Sequence, residues 1–513
     1  MLGLHLLDFA TLAIYLIGIM IAGIWVARKI KNTGDYFMGG RSFGKAFMIM
    51  HAFGTGTHTD QAVTVAGASY KLGMAGIWYQ WLYLFATPFY WLIAPIWRRL
   101  RYLTIADFFE DRFSNSLGYF YALYGLLYFA IQIGIMLLGT GKTASAMTGG
   151  AISPELAIGV MTLLFLSYGL VGGLPAAIIT DFIQGIFIIV LSFLLVPFVI
   201  EGVGGFTGLH QQVPIEKFSL EAPGDPPAGY DRITPFFIVM VVINALVGII
   251  AQPHHMEIGG AGKTEREARV GFTYGNMIKR LCTVAWAFTG VACIALYPNI
   301  DDPEHAFGLA SRDLLPIGLV GIMLASMIAA VMSTCDSFMV DGAALFVENF
   351  YKPLFKPEAE DKHYLTTGRI VALILVVFGI IIALYFTSVV AIIRLSWSLV
   401  AFFGIAFWGG ILWRRCNAPG AWAGLLVSAL LFAISGQTII NWESLGIYIG
   451  GLDWELPYRY VLYITGGFAA LIIVSKLTKP QDKERLDRFY TLLHTPVGQE
   501  HKLREAGIKV VLE

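Results

Sequence analysis

The chain has 513 residues, of which 57% are hydrophobic and 14% are charged, and its mean hydropathy is +0.69. Soluble proteins have about 25% charged residues, so this composition excludes an ordinary soluble protein and is explained by an exterior solvated by lipid. The formal net charge of +0 excludes nucleic acid as a partner.

Hydrophobic runs long enough to cross about 30 Å of hydrocarbon recur along the chain. The first run has no basic region before it and no small-residue cleavage site, which favours a retained span over a signal peptide. We predict an all-α polytopic membrane protein with about thirteen spans, at residues 7–27, 46–70, 74–97, 116–146, 154–172, 176–202, 234–256, 270–296, 315–348, 365–388, 389–413, 419–437 and 457–477.

Basic residues occur in every second loop and predict the orientation of the chain. The basic loops contain Arg28, Lys29, Lys31, Arg41, Lys45, Arg98, Arg99, Arg101, Lys263, Arg266, Arg269, Lys352, Lys356, Lys362, Arg369, Arg414 and Arg415. The alternate loops are acidic or neutral and contain Glu201, Glu221, Asp225, Asp231, Asp301, Asp302, Glu304, Glu443, Asp453 and Glu455. The positive-inside rule therefore predicts an inner-membrane protein with its N-terminus outside and its C-terminus in the cytoplasm.

Three spans contain polar groups and helix breakers, and they are the candidates for a binding site. The second span contains Gly54, Gly56, four threonines and Asp60. Glycine weakens a helix, and an unwound turn would direct carbonyl oxygens inward, which are ligands for a hard cation such as Na⁺. A seam of small residues that packs helices together explains the same pattern equally well.

The ninth span places Ala330, Ser333 and Thr334 on one helical face, because they are spaced i, i+3 and i+4. Asp336 and Ser337 follow one turn deeper. A carboxylate inside a span costs about 2.5 kcal/mol or more, which indicates a partner or a function.

The seventh span is interrupted by Asn244 and Gly248 and reaches Pro253 near the inner face. Interrupted spans at corresponding positions of two halves indicate a transporter binding site. The second and seventh spans lie five apart, as two inverted five-span repeats require.

Five motifs together resemble the sodium:solute symporter family, which includes proline, pantothenate, sialic acid and glucose symporters. They are DYFMGGRSFG at residues 35–44, LTIADFFEDRF at 103–113, GGLPAAIITDFIQ at 172–184, QPH at 252–254 and AVMST at 330–334. The resemblance covers residues 7–476 and implies a leucine-transporter-type core of ten helices in two inverted repeats.

This resemblance implies six regions and two cation sites. The regions are a peripheral first span and loop at 1–45, the first repeat at 46–202, an external loop at 203–233, the second repeat at 234–414, two peripheral spans at 415–478 and a cytosolic tail at 479–513. The main sodium site would use carbonyls of Gly54, Thr57 and Ala330 with hydroxyls of Ser333 and Thr334. A second sodium site or exit path would use Asp181, Asp336 and Ser337.

The chain also departs from the family pattern, and the departures leave the solute open. Gly56 and His58 stand where proline symporters have an aspartate and a serine, and the carboxylate comes later, at Asp60. Candidates for the solute cavity are His58, Asp60, Gln61, Gln80, Tyr83, Gln132, Asn244, Gln252 and Trp397. An interhelical hydrogen bond or an interfacial position is an equal alternative for each of them.

We expect a sodium-coupled transporter, not an enzyme, that imports an amino acid, a monocarboxylate or a sugar, with Na⁺ as coupling ion and no organic cofactor. No obligate protein partner is evident beside the solute and the bilayer. The alternative is a proton-coupled symporter that uses Asp60, Asp336 and the histidines. A membrane enzyme or a sensor is a remote alternative, since the sequence has neither a nucleophile with its base nor a signalling domain.

Overall fold

The computed structural model describes residues 4–27, 37, 43–386, 388–436, 438–442, 447–450 and 452–508. Several residues used for the orientation lie outside these ranges, namely Arg28, Lys29, Lys31, Arg41 and Glu443. The four cysteines, Cys282, Cys293, Cys335 and Cys416, are all buried and free of disulfide bonds.

Helices dominate the described part of the chain. The first group is α1 (Leu6–Ala27), α2 (Lys45–Gly56), α3 (Thr59–Leu72), α4 (Trp78–Trp81), α5 (Tyr90–Leu100), α6 (Ile105–Arg112), α7 (Asn115–Met147), α8 (Pro154–Phe193), α9 (Val196–Gly202), α10 (Gly205–Gln212), α11 (Pro235–Ile249) and α12 (His255–Gly260). The second group is α13 (Glu265–Leu296), α14 (Ala306–Leu314), α15 (Leu319–Phe346), α16 (Lys352–Leu354), α17 (Asp361–Tyr385), α18 (Val389–Leu412), α19 (Ala418–Ile434), α20 (Leu456–Leu477), α21 (Lys483–His494) and α22 (Glu500–Glu505).

A short antiparallel hairpin follows α19, with strands β1 (Thr438–Trp442) and β2 (Ile447–Gly450). Seven of the described stretches are helical, long and apolar enough to cross a membrane on their own, and four shorter apolar helices accompany them. The broken α2–α3 pair is not among them, because neither half alone reaches the length of a span.

Local sequence explains where the long helices begin. The side chains of Ser114, Ser153 and Thr234 each accept a hydrogen bond from the first turn of the helix that follows, which satisfies a backbone N–H that has no helical partner. Proline follows directly at Pro154 and Pro235, where its fixed φ suits the first turn.

The centre of the molecule is formed by the broken helices and by α15, whose residues are almost all buried. Helix α15 packs against α8, α7, α17 and α1, whereas α13 packs against α2, α3 and α5. The breaks in α2–α3 and α11–α12 therefore lie inside protein, where irregular backbone is tolerated in a membrane.

Candidate cation site and solute cavity

The second span is broken at two consecutive residues. Thr57 (φ −133°, ψ 111°) and His58 (φ −136°, ψ 164°) are both extended between α2 and α3. The seventh span is also broken, since α11 ends at Ile249 and α12 begins at His255, but the flanking residues Ile250 and His254 keep helical φ and ψ. These two breaks free backbone carbonyls at the centre of the molecule.

Four oxygen atoms from two helices meet beside the first break. Ser333 Oγ lies 3.0 Å from the carbonyl oxygen of Gly54 and 3.3 Å from that of Ala330. Thr334 Oγ1 lies 3.3 Å from each of the same two carbonyls. All four residues are buried. Two carbonyls and two hydroxyls at one point are an all-oxygen donor set without net charge, which fits a monovalent hard cation.

The backbone of Thr57 also contacts the carbonyl group of Gly54. Its N–H donates to the carbonyl oxygen of Gly54 at 3.2 Å. Its hydroxyl Oγ1 is buried and has no hydrogen-bond partner among the described residues. Four of the five residues predicted for the main sodium site thus meet at the contact between α2 and α15, and the fifth, Thr57, follows α2 directly and bonds to Gly54.

The residues predicted for a second site lie close by. Thr55 Oγ1 is 3.3 Å from Asp181 Oδ2 and 3.3 Å from Ser337 Oγ, so it links α8 to α15. The carboxylate of Asp336 lies against Gly169, where an added Cβ would come within 2.6 Å of Asp336 Oδ1. Asp181 and Ser337 therefore meet through Thr55, and Asp336 faces the first half of α8.

Two residues of this region were missed by the sequence reasoning. His51 Nδ1 lies 2.7 Å from Asp181 Oδ2, and its Nε2 lies 3.2 Å from Glu257 Oε1. All three side chains are buried. The signal that could have found them is the presence of ionisable groups beside helix breaks in two spans.

A cavity of about 90 Å³ lies between the two breaks. Eight of the nine residues predicted for the solute cavity line it, namely His58, Asp60, Gln61, Gln80, Tyr83, Gln132, Gln252 and Trp397. Further lining groups that the sequence reasoning missed include Tyr90, Tyr128, His254, His255, Asn276, Lys279 and Arg280. Ionisable residues at adjacent positions of one span, such as Lys279 and Arg280, were the available signal.

Asn244 does not line this cavity. Its Nδ2 donates to the carbonyl oxygen of Trp397 at 3.2 Å, and its Oδ1 accepts a hydrogen bond from the Tyr463 hydroxyl of α20. Asn244 therefore forms interhelical hydrogen bonds, and the prediction that it lines the cavity is wrong. The reason is that α20 packs against α11 and brings Tyr463 to the Asn244 side chain.

Polar contacts surround His58 at the break between α2 and α3. Gln61 Nε2 donates to the carbonyl oxygen of Gly56 at 3.2 Å and lies 2.9 Å from His58 Nε2. The other ring nitrogen of His58, Nδ1, contacts Asp60 Oδ1. His58 therefore lies between the Asp60 carboxyl group and the Gln61 amide.

The sodium:solute symporter family model matches residues 36–428. The osmoregulated proline transporter of Bacillus subtilis is 28% identical, over 91% of this chain and 94% of that protein. The sodium/glucose cotransporter of Vibrio parahaemolyticus is 24% identical, over 83% of this chain and 84% of that protein. These relatives are transporters and not enzymes.

Solved structures share the fold. A Na⁺-coupled sialic acid symporter in a substrate-bound outward-open state has a TM-score of 0.76 at 19% identity, covering 93% of this chain and 99% of that one. A nucleobase-cation-symport-1 family transporter has a TM-score of 0.60 at 12% identity, covering 89% and 98%. The predicted all-α fold with a leucine-transporter-type core is confirmed, whereas the count of thirteen spans stays a prediction. The family model covers most of the chain, and the protein therefore belongs to the sodium:solute symporter family.

Proposed function

We propose that this protein is a sodium-coupled transporter that imports a small organic solute by alternating access. The observation that supports this proposal is the meeting of the carbonyls of Gly54 and Ala330 with the hydroxyls of Ser333 and Thr334. Na⁺ would be held there by these four oxygens together with Thr57. The solute would bind in the adjoining cavity beside the two helix breaks.

Coupling follows from where the cation site lies. Its ligands come from α2 and α15, so a bound ion favours conformations in which these helices stay in contact. An ion shifts a conformational equilibrium only by its differential affinity for the two states, and separation of α2 from α15 would destroy the site. The inward driving force on Na⁺ is about 2.3 kcal/mol per charge for each 100 mV.

Asp181 is proposed as part of the route by which the ion leaves. It is buried, and Thr55 connects it to Ser337 on α15 and to the region of Gly54. A carboxylate below a neutral cation site offers the next binding position along the path. Asp336, on the same helix as Ser337, is proposed to contribute to this second position.

The proposed orientation places the N-terminus outside and the C-terminus in the cytoplasm of an inner-membrane protein. The basic loops support this orientation. The tail also contacts one of them, since Arg101 donates to the carbonyl oxygen of Pro496 at 3.0 Å and to Glu500 Oε1 at 2.9 Å. Residues 46–202 and 234–414 are proposed as the two inverted repeats.

A double substitution tests the sodium site. Ser333→Ala with Thr334→Ala removes both hydroxyl ligands and should raise the Na⁺ concentration for half-maximal uptake about tenfold or more, because each lost oxygen contact is worth about 0.5–1.5 kcal/mol. The measurement is solute uptake into proteoliposomes at varied NaCl concentrations. Ser428→Ala with Thr465→Ala, in the distant α19 and α20, is the matched control and should leave the sodium dependence unchanged.

An unchanged sodium dependence in the first double variant would contradict the proposed site. The same assay distinguishes sodium coupling from the proton-coupled alternative. Uptake that persists without Na⁺ and collapses when an uncoupler dissipates the proton gradient would replace sodium by protons as the coupling ion.

A further inference from the structure

Two adjacent cationic side chains are buried in the middle of α13. Lys279 is 6% exposed and Arg280 is 3% exposed, and both line the central cavity. A cationic group inside a membrane span costs about 2.5–3.5 kcal/mol or more unless a partner compensates it. The charge balance of the cavity therefore constrains what binds there.

The guanidinium of Arg280 is fixed by neutral acceptors. Its Nη1 donates to the carbonyl oxygen of Gln80 at 2.9 Å, and its Nη2 lies 3.5 Å from Asn276 Oδ1. Its Nε lies 3.4 Å from Thr87 Oγ1. These contacts position the side chain but supply no negative charge, so the charge of Arg280 is not neutralised by them.

Lys279 is the basic side chain of the cavity that has donors left for a ligand. Its Nζ donates to the carbonyl oxygen of Gly56, and no described carboxylate forms an ion pair with it. An ammonium has three N–H donors, which leaves two for a ligand in the cavity. The side chain reaches the same carbonyl that Gln61 contacts, beside the break in the second span.

Asp60 is the carboxylate among the cavity-lining residues, and His58 already occupies its Oδ1. Among the described lining residues, the basic side chains Lys279 and Arg280 therefore outnumber the one acidic side chain. Na⁺ bound at Gly54 and Ala330 would add a further positive charge. The acceptors Asp60 Oδ2 and Gln61 Oε1 are buried and have no hydrogen-bond partner among the described residues.

We propose that the transported solute is a hydroxylated organic anion whose carboxylate binds Lys279 and whose hydroxyl groups donate to Asp60 and Gln61. This inference rests on the proposed function. A carboxylate supplies the missing negative charge, and charge-assisted hydrogen bonds are stronger than neutral ones. A neutral sugar or a zwitterionic amino acid adds no net charge, so either would leave the buried cation uncompensated.

Binding of matched probes to the purified full-length protein tests the proposal. D-glucuronate and D-glucose differ at one carbon, which is a carboxylate in the first and a hydroxymethyl group in the second. D-gluconate and L-lactate extend the set of hydroxylated anions, and L-proline is the zwitterion. In NaCl, isothermal titration calorimetry should show at least one anion binding ten times or more tighter than D-glucose and L-proline.

Variants at Lys279 test whether this side chain binds the carboxylate of the solute. Lys279→Met should weaken binding of that anion on the order of 10- to 100-fold, as expected when a charged hydrogen bond is lost, and Lys279→Arg should retain most of the affinity. The Na⁺-dependent shift in melting temperature should persist in both variants, because Lys279 is not among the proposed sodium ligands. If Lys279→Met does not fold, the wild-type comparison and Lys279→Arg still decide.

The proposal is overturned if no anion of the set binds, if D-glucose or L-proline binds as tightly as the best anion, or if Lys279→Met binds that anion like the wild type. Failure of the proposed function looks different. Anion binding that depends on Lys279 but is equal in NaCl and choline chloride would refute sodium coupling and support the anionic solute.

Discussion

His51 shows how a single residue holds three parts of the core together. It lies on α2, and its two ring nitrogens face Asp181 of α8 and Glu257 of α12. A neutral imidazole has one N–H donor, whereas a protonated imidazole has two. The ring can therefore donate to both carboxylates only when it carries the extra proton. The bridge places a basic group between two carboxylates that are buried.

Replacing His51 by alanine should destabilise the protein by about 3 kcal/mol or more, because it leaves two buried carboxylates without their partner. Thermal unfolding of purified protein in detergent measures the loss. His210→Ala is the control, since His210 of α10 is exposed and stacks on Phe218, and it should change stability by less than about 0.5 kcal/mol. Equal melting temperatures for His51→Ala and the wild type would show that the bridge does not stabilise the fold.

At the scale of the element, α8 illustrates why a long apolar stretch has to turn. Its 40 residues would span about 60 Å at 1.5 Å per residue, twice the thickness of the hydrocarbon. Gly173 interrupts the helix with φ 51° and ψ −159°. This backbone conformation is accessible almost exclusively to glycine, and the join between the predicted fifth and sixth spans depends on it.

Gly173→Ala should therefore cost about 1–3 kcal/mol of stability, the usual strain of a non-glycine residue in this region. The control is Gly159→Ala in the same helix, where an added Cβ meets nothing within 4 Å and alanine favours the helix. Thermal unfolding of the two variants under identical conditions is the measurement. A Gly173→Ala variant as stable as Gly159→Ala would contradict the assigned strain.

The sequence predicts a break in the second span near Gly54, and the break occurs at Thr57 and His58. Glycines at Gly54 and Gly56 lower helix propensity over the whole segment, and this explains why the sequence indicates a break. They do not select its position, which depends on what the extended residues contact in α13 and α15.

On the scale of the whole molecule, the C-terminal tail is packed onto the membrane domain. Arg101 lies in a left-handed backbone conformation (φ 57°), is almost fully buried and donates to the carbonyl oxygens of Thr495 and Pro496. Arg485 donates to the carbonyl oxygen of Asp111 at 2.7 Å, and Arg488 pairs with the carboxylate of Asp111. Helix α21 thus contacts α6, and the residues between α21 and α22 contact Arg101, which precedes α6.

Glu500→Gln should loosen this tail. Partial burial raises the pKa of Glu500, but the hydrogen bond from Arg101, the backbone hydrogen bonds and the charge of Arg101 together outweigh burial and hold the pKa below its ordinary value. The bond therefore contributes at neutral pH and is lost as the pH falls below about 4. Because such partly exposed ion pairs are worth about 0.2–1 kcal/mol, amide hydrogen exchange in α22 should become about two- to fivefold faster at neutral pH.

Glu505→Gln is the control for this measurement, since Glu505 is exposed and lies on the same helix. Its exchange rates should match those of the wild type. Unchanged exchange in Glu500→Gln would mean that the bond from Arg101 does not hold the tail in solution.

The residue pattern alone was sufficient to predict the membrane fold and the oxygen-rich faces of the second and ninth spans. These features are local: the length of hydrophobic runs, the charge of the loops and the i, i+3, i+4 spacing of Ala330, Ser333 and Thr334 can all be determined from the sequence. For the same reason most cavity residues were identified, because polar groups inside apolar spans are costly and therefore informative.

Tertiary packing decided which polar groups face one another. Asn244 bonds to Tyr463 of α20 and does not line the cavity, while His51 and Glu257, far apart in sequence, form a contact in the core. Lys279 enters the cavity because α13 packs along the broken second span. Partners of this kind come from other helices, and a one-dimensional pattern shows that a buried charge needs compensation but not which group provides it.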